Sequence, residues 1–261
     1  WLVTYLDPIT TAPNGTWTEL ADLLGDIQGF SLTHEASNYY PAGNTLVHIP
    51  AQDAVYWKHN YSSNAFYAYN TTTGVWSNLA GVTGGPRGGC SLYYPGNGDF
   101  IYYQGGDYSG GFYKYSLQDD EWVTLAKSPL NEGYRGYDGD MFYPGSGDLL
   151  YVFDGINNYF TRYSITGDEW DIPLTFINNF ITDKTAVFCG GKDGNTIYSG
   201  GIRFFYSYDI PSKTWTSLTS PYDTQNLNWS WENYDPALVY DGEDCLYGTR
   251  GSGYSDFVRY H

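Results

Sequence analysis

Residues 112–122 read FYKYSLQDDEW, where Tyr115 follows Phe112 by three residues and Trp122 follows Tyr115 by seven. Three other segments keep the same spacing, so Phe and Trp are ten residues apart in every case. Aromatic residues in a random sequence would not hold this register four times, and the chain therefore contains an internal repeat. The four triplets are Phe66-Tyr69-Trp76, Phe112-Tyr115-Trp122, Phe160-Tyr163-Trp170 and Phe205-Tyr208-Trp215, with 45 to 48 residues between successive Trp.

A second pattern lies upstream of each triplet. Turn sequences such as Tyr94-Pro95-Gly96-Asn97 contain the Pro and Gly of tight hairpins, and a short apolar run follows each turn. One unit then reads strand a, Pro/Gly turn, strand b, Gly turn, strand c with Phe-x-x-Tyr, polar turn, and strand d with Trp. In the first unit this alignment assigns residues 46–48 to strand b and leaves about eight extra residues before strand c, including Trp57 and Asn60. The assigned b strands are Leu46-Val47-His48, Phe100-Ile101-Tyr102, Leu149-Leu150-Tyr151, Thr196-Ile197-Tyr198 and Cys245-Leu246-Tyr247.

Four short antiparallel strands in a unit of 45 to 50 residues are typical of a propeller blade. The glycine pairs Gly105-Gly106 and Gly200-Gly201, the Tyr-x6-Trp spacing and the unit length resemble the kelch repeat family over roughly residues 30–261. The resemblance implies a β-propeller, and it implies no particular activity.

The fifth unit has strands a, b and c, but the chain stops at His261 before a strand d. A matching Trp strand occurs at the other end, in residues 16–20 (TWTEL). We therefore predict an all-β fold, a five-bladed β-propeller of four-stranded antiparallel blades that an N-terminal strand closes. The whole chain, residues 1–261, would form one domain with blades at about 30–80, 85–126, 135–174, 183–219 and 234–261 plus 16–20.

Residues 1–15 are an N-terminal extension or extra strand, since residues 2–5 (LVTY) look like another strand c. They could form a tail or an outer strand on the closing blade, or could pair with a neighbouring subunit by strand addition. The sequence starts at Trp1 rather than Met, so we expect either a removed leader or a piece excised from a longer repeat array.

Composition excludes several classes of partner. The net charge is −17 with only 12 Lys and Arg, which disfavours nucleic acid, and no apolar run is long enough to span a membrane. Three widely spaced cysteines, Cys90, Cys189 and Cys245, predict buried strand thiols rather than disulfides or a zinc site. Four scattered His provide no metal-binding spacing, so we expect no metal and no cofactor.

Low Lys content, abundant Tyr, Trp, Asn and Gly, and four N-x-[ST] sequons in predicted loops indicate a secreted, extracellular glycoprotein. The four sequon residues are Asn14, Asn60, Asn70 and Asn228.

The candidate ligand site is the loop between the last two units, residues 226–234 (NLNWSWENY). Trp229 and Trp231 could stack on sugar rings while Glu232 binds hydroxyls, and Arg87 and Arg135 in corresponding loops could hold a carboxylate. The alternative is that these Trp plug the axial channel or cover the blade ends. A glycosidase would need two carboxylates facing one cavity, and the acidic residues in such loops are Glu35, Asp138, Asp140, Asp183, Glu232 and Asp235.

Three functions remain. We favour a non-catalytic secreted structural or interaction module that assembles with copies of itself, as a surface layer or fibre, or with other extracellular proteins. A lectin-like propeller that binds glycans is the first alternative, and a glycoside hydrolase or lyase that uses axial carboxylates is the second. The recurring Trp and Tyr need no function beyond packing between blades.

Overall fold

The computed structural model describes the residues that form the repeated sheets and their shorter turns. The strands are short and rich in aromatic and β-branched residues. A 3-10 turn at Pro50–Gln52 connects the two strands of the first hairpin. The chain is all-β over the described residues, which are 45–58, 64–82, 91–105, 111–129, 140–154, 159–171, 175–176, 187–190, 194–201, 204–219, 237–240, 245–249 and 257–260.

The strands form five antiparallel sheets in which neighbours in sequence are neighbours in space. Sheet 1 contains β1 (Thr45–Ile49), β2 (Ala54–Lys58), β3 (Phe66–Asn70) and β4 (Trp76–Leu79). Sheet 2 contains β5 (Ser91–Tyr93), β6 (Phe100–Gln104), β7 (Phe112–Ser116) and β8 (Glu121–Thr124). Sheet 3 contains β9 (Asp140–Phe142), β10 (Leu149–Asp154), β11 (Tyr159–Ser164), β12 (Glu169–Trp170) and β13 (Thr175–Phe176).

Sheet 4 contains β14 (Val187–Gly190), β15 (Thr196–Gly201), β16 (Phe204–Asp209) and β17 (Thr214–Ser217). Sheet 5 contains β18 (Ala237–Tyr240), β19 (Leu246–Thr249) and β20 (Phe257–Tyr260). In sheet 3, β12 and β13 both pair with β11, at Tyr163–Ser164 and at Tyr159–Phe160 respectively.

The first strands of successive sheets contact one another, β1 with β5, β5 with β9, β9 with β14 and β14 with β18. Each sheet thus has its first strand innermost and its last strand outermost. This radial arrangement of consecutive antiparallel sheets is consistent with a propeller-like fold. Four of the sheets lie within ranges expected for blades, and sheet 3 extends past its expected range to Phe176. Residues 1–15 and the expected closing strand at 16–20 lie outside the described part of the chain.

One aromatic arrangement recurs between sheets. Phe112 of sheet 2 lies edge-on to Tyr163 and Trp170 of sheet 3, with ring centroids 4.8 and 4.9 Å apart. Tyr102 of the preceding strand stacks beside Phe112 at 6.1 Å. Edge-to-face rings at this separation add favourable energy beyond the area they bury. Phe112, Tyr102 and Tyr163 are almost fully buried, and Trp170 is partly buried. The same Phe–Tyr contacts join the other sheets, as Phe66–Tyr115, Phe160–Tyr208 and Phe205–Tyr260.

The recurring Trp also make polar contacts between sheets. The Trp122 indole N–H donates to the Ala80 carbonyl of sheet 1 at 2.7 Å, and the Trp170 indole donates to the Ala126 carbonyl of sheet 2 at 2.9 Å. The acceptor stands four residues after the Trp of the preceding unit in both cases. These contacts agree with the packing role expected for the recurring Trp.

A carboxylate near each of these Trp joins the same two sheets, and we call this arrangement the aspartate bridge. Asp120 Oδ1 accepts from the Tyr115 hydroxyl and from the Ala80 backbone N–H, both at 2.7 Å. Asp168 Oδ1 accepts from the Tyr163 hydroxyl and the Ala126 N–H at the same distances. Burial and the bridge together hold the pKa of each of these two tyrosines well above its ordinary value.

The structure corrects the expected alignment of the first unit. Residues 46–48 lie in β1, which is strand a, and strand b is β2, which includes Trp57. From the end of strand b to the start of strand c there are eight positions in both units, Lys58 to Phe66 and Gln104 to Phe112, so the first unit has no insertion. The error arose because no glycine marks this hairpin, whose 3-10 turn ends at Asp53 with a left-handed φ of 49°.

Two further expectations concern thiols and membranes. Cys245 is 5% exposed, so the expectation that it is buried is confirmed, but it lies immediately before β19 rather than in a strand. The Cys189 side chain and Cys90 lie outside the described residues. Among the described residues, no helix has the length and apolar character needed to cross a bilayer.

Candidate functional site

The five candidate ligand residues lie outside the described residues, so their positions relative to one another stay a prediction. The strands on either side of them are described. Arg87 lies between β4 and β5, Arg135 between β8 and β9, and residues 229–232 between β17 and β18. All three segments are therefore connections from the outer strand of one sheet to the inner strand of the next.

The sheet topology groups these connections at one end of the array. In an antiparallel sheet with order a-b-c-d, strand a begins at the end where b runs into c and where d finishes. The Phe–Tyr contacts recur at equivalent register between successive sheets, so the sheets share one orientation. The d–a and b–c connections thus define a common end, which we call the ligand end.

Two buried polar side chains of the described strands lie at the ligand end. Lys58 ends β2 and is 0% exposed, with its Nζ 5.7 Å from the centroid of the Tyr103 ring. Gln104 ends β6 at the equivalent position and is 3% exposed, and its Oε1 accepts no hydrogen bond in the described structure. A fully buried Lys is uncommon, and so is an amide oxygen that accepts no hydrogen bond inside a protein. These two residues end the strands that lead into the b–c connections of sheets 1 and 2.

Sequence reasoning missed both residues. In sheets 3, 4 and 5 the same position holds Phe153, Gly200 and Thr249, so no residue type recurs there. The misaligned first unit also placed Lys58 outside any strand. No repeat pattern in the sequence therefore singled out Lys58 or Gln104.

At the opposite end, the described carboxylates have structural partners. Asp99 Oδ2 accepts from the Ser116 hydroxyl at 2.7 Å, and its Oδ1 accepts from the Gln118 N–H at 2.9 Å. Asp148 makes the same contacts in sheet 3, and its pKa is lowered by the Ser164 hydroxyl and then by a backbone N–H. These side chains fasten the a–b turn to the c–d turn, and no further chemistry is needed to explain them.

No group of three or more His, Cys, Asp or Glu side chains within the described ranges is placed to hold a metal ion. Of the carboxylates considered for glycoside hydrolysis, only Asp140 falls in a described strand, and there only its backbone is described. The catalytic alternative therefore gains no support from the described residues.

Of the four sequons, only the one at Asn70 falls among described residues. Asn70 is the last residue of β3, so the expectation that it lies in a loop is corrected to the strand end. Its Oδ1 accepts from the backbone N–H groups of Thr72 and Thr73 at 3.0 and 2.7 Å, which forms the turn that follows. Asn14, Asn60 and Asn228 lie outside the described residues.

No protein-family model matches the chain, and no curated protein matches it in sequence. The solved structure of YjhT is similar over 80% of this chain and 71% of its own, with a TM-score of 0.59 and 14% identity. An auxiliary nutrient binding protein from Bacteroides thetaiotaomicron is similar over 78% of this chain, with a TM-score of 0.56 and 14% identity. This chain spans 55% of the length of that second protein. At such low identity the similarity establishes a shared fold and nothing more.

Proposed function

We propose that the chain is a closed, five-bladed, kelch-like propeller in which residues 16–20 supply the outer strand of sheet 5. Two observations support closure. The face of sheet 1 that points away from sheet 2 is covered, since Trp57, Tyr67 and Tyr69 are at most 8% exposed. Sheet 5 has three described strands where sheets 1, 2 and 4 have four, so one outer position remains for a strand with Trp.

We further propose that this propeller is a non-catalytic, secreted interaction module that assembles with copies of itself or with other extracellular proteins. The observation that carries this proposal is that the recurring residues have structural roles. The repeated Phe, Tyr, Trp and Asp that are described pack or bridge between sheets, which leaves no recurring group for catalysis in that part of the molecule. The outer strands β4, β8 and β17 each pair on one edge only among described strands, and such edges accept further strands.

The test is the mass of the native particle. The full chain is measured by light scattering after size exclusion and imaged by electron microscopy over a concentration series. Assembly predicts particles of several chains, and a variant that lacks residues 1–8 is expected to form smaller ones if that segment pairs with a neighbour. A chain that stays monomeric at every concentration would contradict the assembly proposal.

The second candidate function is glycan binding through the ligand end, with Trp229, Trp231 and Glu232 as stacking and hydroxyl-binding residues and with Arg87 and Arg135 nearby. It is favoured by the shared fold with a nutrient binding protein and by the density of aromatic and polar residues in residues 226–234.

A glycan array tests this second function. Substitution of Trp231 by Ala is expected to remove binding, whereas Val75→Ala, at a position 55% exposed on the outer strand side, serves as a surface control that keeps it. An array without any bound glycan, or equal loss in both variants, would count against the glycan-binding proposal.

A further inference from the structure

The outer edges of the described sheets differ in charge. The compared window runs from five residues before each recurring Trp to three residues after it, and it contains the c–d turn and β4, β8, β12 or β17. In sheet 1 this window is uncharged (residues 71–79, TTTGVWSNL), and in sheet 4 its only charge is Lys213 (residues 210–218, IPSKTWTSL). In sheets 2 and 3 it contains three acidic residues each, within residues 117–125 (LQDDEWVTL) and 165–173 (ITGDEWDIP).

The residues that cause this difference are exposed. The acidic residues in the windows of sheets 2 and 3 are Asp119, Asp120, Glu121, Asp168, Glu169 and Asp171, all exposed. The exposed side chains on β4 and β17 are small and uncharged, at Ser77, Asn78, Thr214, Thr216 and Ser217. A strand that approaches sheet 2 or 3 would therefore meet negative charge, whereas one that approaches sheet 1 or 4 would not. We call the outer edges of β4 and β17 the neutral edges.

The backbone of the neutral edges is oriented for further pairing. Among the described strands, β4 pairs with β3 alone and β17 pairs with β16 alone. In β17 the Leu218 N–H donates to the Phe205 carbonyl, so by alternation the backbone groups of Trp215 and Ser217 point away from β16. The strand β4 has the same register on β3, and its Asn78 occupies the position of Ser217.

The outer edge of sheet 3 is irregular as well as acidic. Trp170 pairs with Tyr163 and Thr175 pairs with Phe160, so the outer side advances five residues where β11 advances three. Charged side chains and irregular pairing are two ways in which proteins prevent a sheet edge from accepting another strand. Sheet 2 is protected by charge and sheet 3 by both, but neither protection is present on β4 or β17.

The two neutral edges lie on sheets that are separated by the two acidic ones. Contacts between inner strands run from sheet 1 through sheets 2 and 3 to sheet 4, so β4 and β17 lie at different places around the array. A chain with one docking edge would stop at a pair. A chain with two can bind two further copies, and growth then continues.

We propose that β4 and β17 are the edges through which copies of this chain join, neutral edge to neutral edge, into open-ended particles. This inference rests on the proposed self-assembly, for which it names the two surfaces and the form of the particle. Each copy carries a net charge of −17, and a contact between two acidic edges would oppose three carboxylates of one copy to three of the other. Neutral edges avoid this repulsion, and Lys213 in the turn before β17 attracts any other copy.

Proline substitutions test strand pairing at each edge. Asn78→Pro and Ser217→Pro remove an outward backbone N–H from the neutral edges, and Thr124→Pro removes the equivalent one from β8. The full chains are compared by light scattering over a concentration series, and urea unfolding checks that each variant is folded. The wild-type chain and Thr124→Pro should form particles of more than two chains. Each neutral-edge variant should stop at two chains or fewer, and the double variant should be monomeric.

The outcomes separate this inference from the proposed self-assembly. If Thr124→Pro lowers the particle mass as much as Asn78→Pro and Ser217→Pro do, the neutral edges are not special and the inference is overturned. It is also overturned if either neutral-edge variant keeps the wild-type mass, or if wild-type particles stop at two chains. Self-assembly itself stands in each of these cases. A wild-type chain that is monomeric at every concentration removes both proposals.

Glutamate substitutions test the role of charge. Val75→Glu and Thr214→Glu give the neutral edges the residue that Glu121 and Glu169 provide immediately before the Trp in sheets 2 and 3. The chain with both substitutions should form particles about twofold or more below the wild-type mass in 0.1 M salt, where the Debye length is about 10 Å. The mass should rise towards that of the wild type in 1 M salt, where this length is about 3 Å.

The uncharged control carries Val75→Gln and Thr214→Gln and should keep the wild-type mass at both salt concentrations. Glutamate particles that match the wild-type mass in 0.1 M salt would contradict the selection of these edges by charge. An equal loss of mass in the glutamine control would contradict it as well, since side-chain size rather than charge would then be responsible.

Discussion

The aspartate bridge allows a quantitative test of how the sheets are held together. Asp120 Oδ1 accepts two hydrogen bonds of 2.7 Å, from the buried Tyr115 hydroxyl and from the Ala80 N–H. A hydrogen bond to a charged group contributes about 1.5–3 kcal/mol, and the exposed position of Asp120 favours the lower end of this range. Removal of both bonds should therefore lower the free energy of unfolding by about 2–4 kcal/mol.

The choice of substitution separates the bridge from backbone strain. Asp120→Gly removes the carboxylate and relaxes the positive φ of 52°, so its loss of stability comes from the bridge together with the greater freedom of glycine in the unfolded chain. Asp120→Asn keeps an acceptor and the tolerance of positive φ, and it should cost about 1 kcal/mol. Asp120→Ala should be the least stable of the three, because a left-handed backbone adds about 1 kcal/mol of strain.

The assay is urea unfolding followed by tryptophan fluorescence, with the midpoint and slope fitted for each variant. A double-mutant cycle with Tyr115→Phe should give a coupling energy of at least about 1 kcal/mol. The second bridge, at Asp168, repeats the geometry and should repeat the result. A loss below about 0.5 kcal/mol for Asp120→Gly would refute the reasoning, because surface substitutions without structural partners fall within that range.

Three further outcomes are expected. Burial raises the pKa of Tyr102 to about 12, above the 10.0 of an exposed tyrosine. The free energy of unfolding should therefore be unaffected by this group below pH 10 and should fall as the pH rises from 10 to about 12. Alkaline unfolding followed by tyrosinate absorbance measures this fall. The pKa of Asp148 is lowered, so its contribution to stability is lost as the pH falls below roughly 4. In Asp148→Asn the Tm should therefore decrease less on acidification than in the wild-type chain. Gly190→Ala should destabilise by about 1–3 kcal/mol, because its Cβ would overlap the Phe142 ring, and a second change of Phe142→Leu should recover part of the loss in thermal melts.

The repeat itself could be predicted from the sequence because its aromatic residues occupy fixed sheet positions. Phe112 lies ten residues before Trp122 because Tyr115 of strand c pairs directly with Trp122 of strand d, and the equivalent Tyr and Trp pair in the other units. A second recurring residue, the tyrosine of strand b, was visible in every unit except the first. It is Tyr56 there, and it stacks on Phe66 at 5.9 Å as its counterparts do.

The first hairpin could not be placed, because its turn depends on a conformation that the sequence does not mark. Asp53 adopts the left-handed backbone that glycine adopts in the equivalent turns, Gly96 and Gly98 among them. The aspartate bridge could not be predicted from the sequence either. Asp120 and Asp168 lie in polar turns, and their hydrogen bonds to the preceding sheet depend on how the sheets pack. The sequences of the loops that could hold a ligand do not recur from unit to unit. The repeat therefore does not predict where their side chains lie relative to one another.

The pairing of each Trp with a Tyr has an optical consequence. The ring centroids are 5.1 Å apart for Tyr69 and Trp76, 5.2 Å for Tyr115 and Trp122, and 5.1 Å for Tyr163 and Trp170. At such separations an excited tyrosine passes its energy to the indole much faster than it emits. These tyrosines should be dark in the native protein and should emit when a sheet detaches, so the emission spectrum reports the integrity of the array without any added dye.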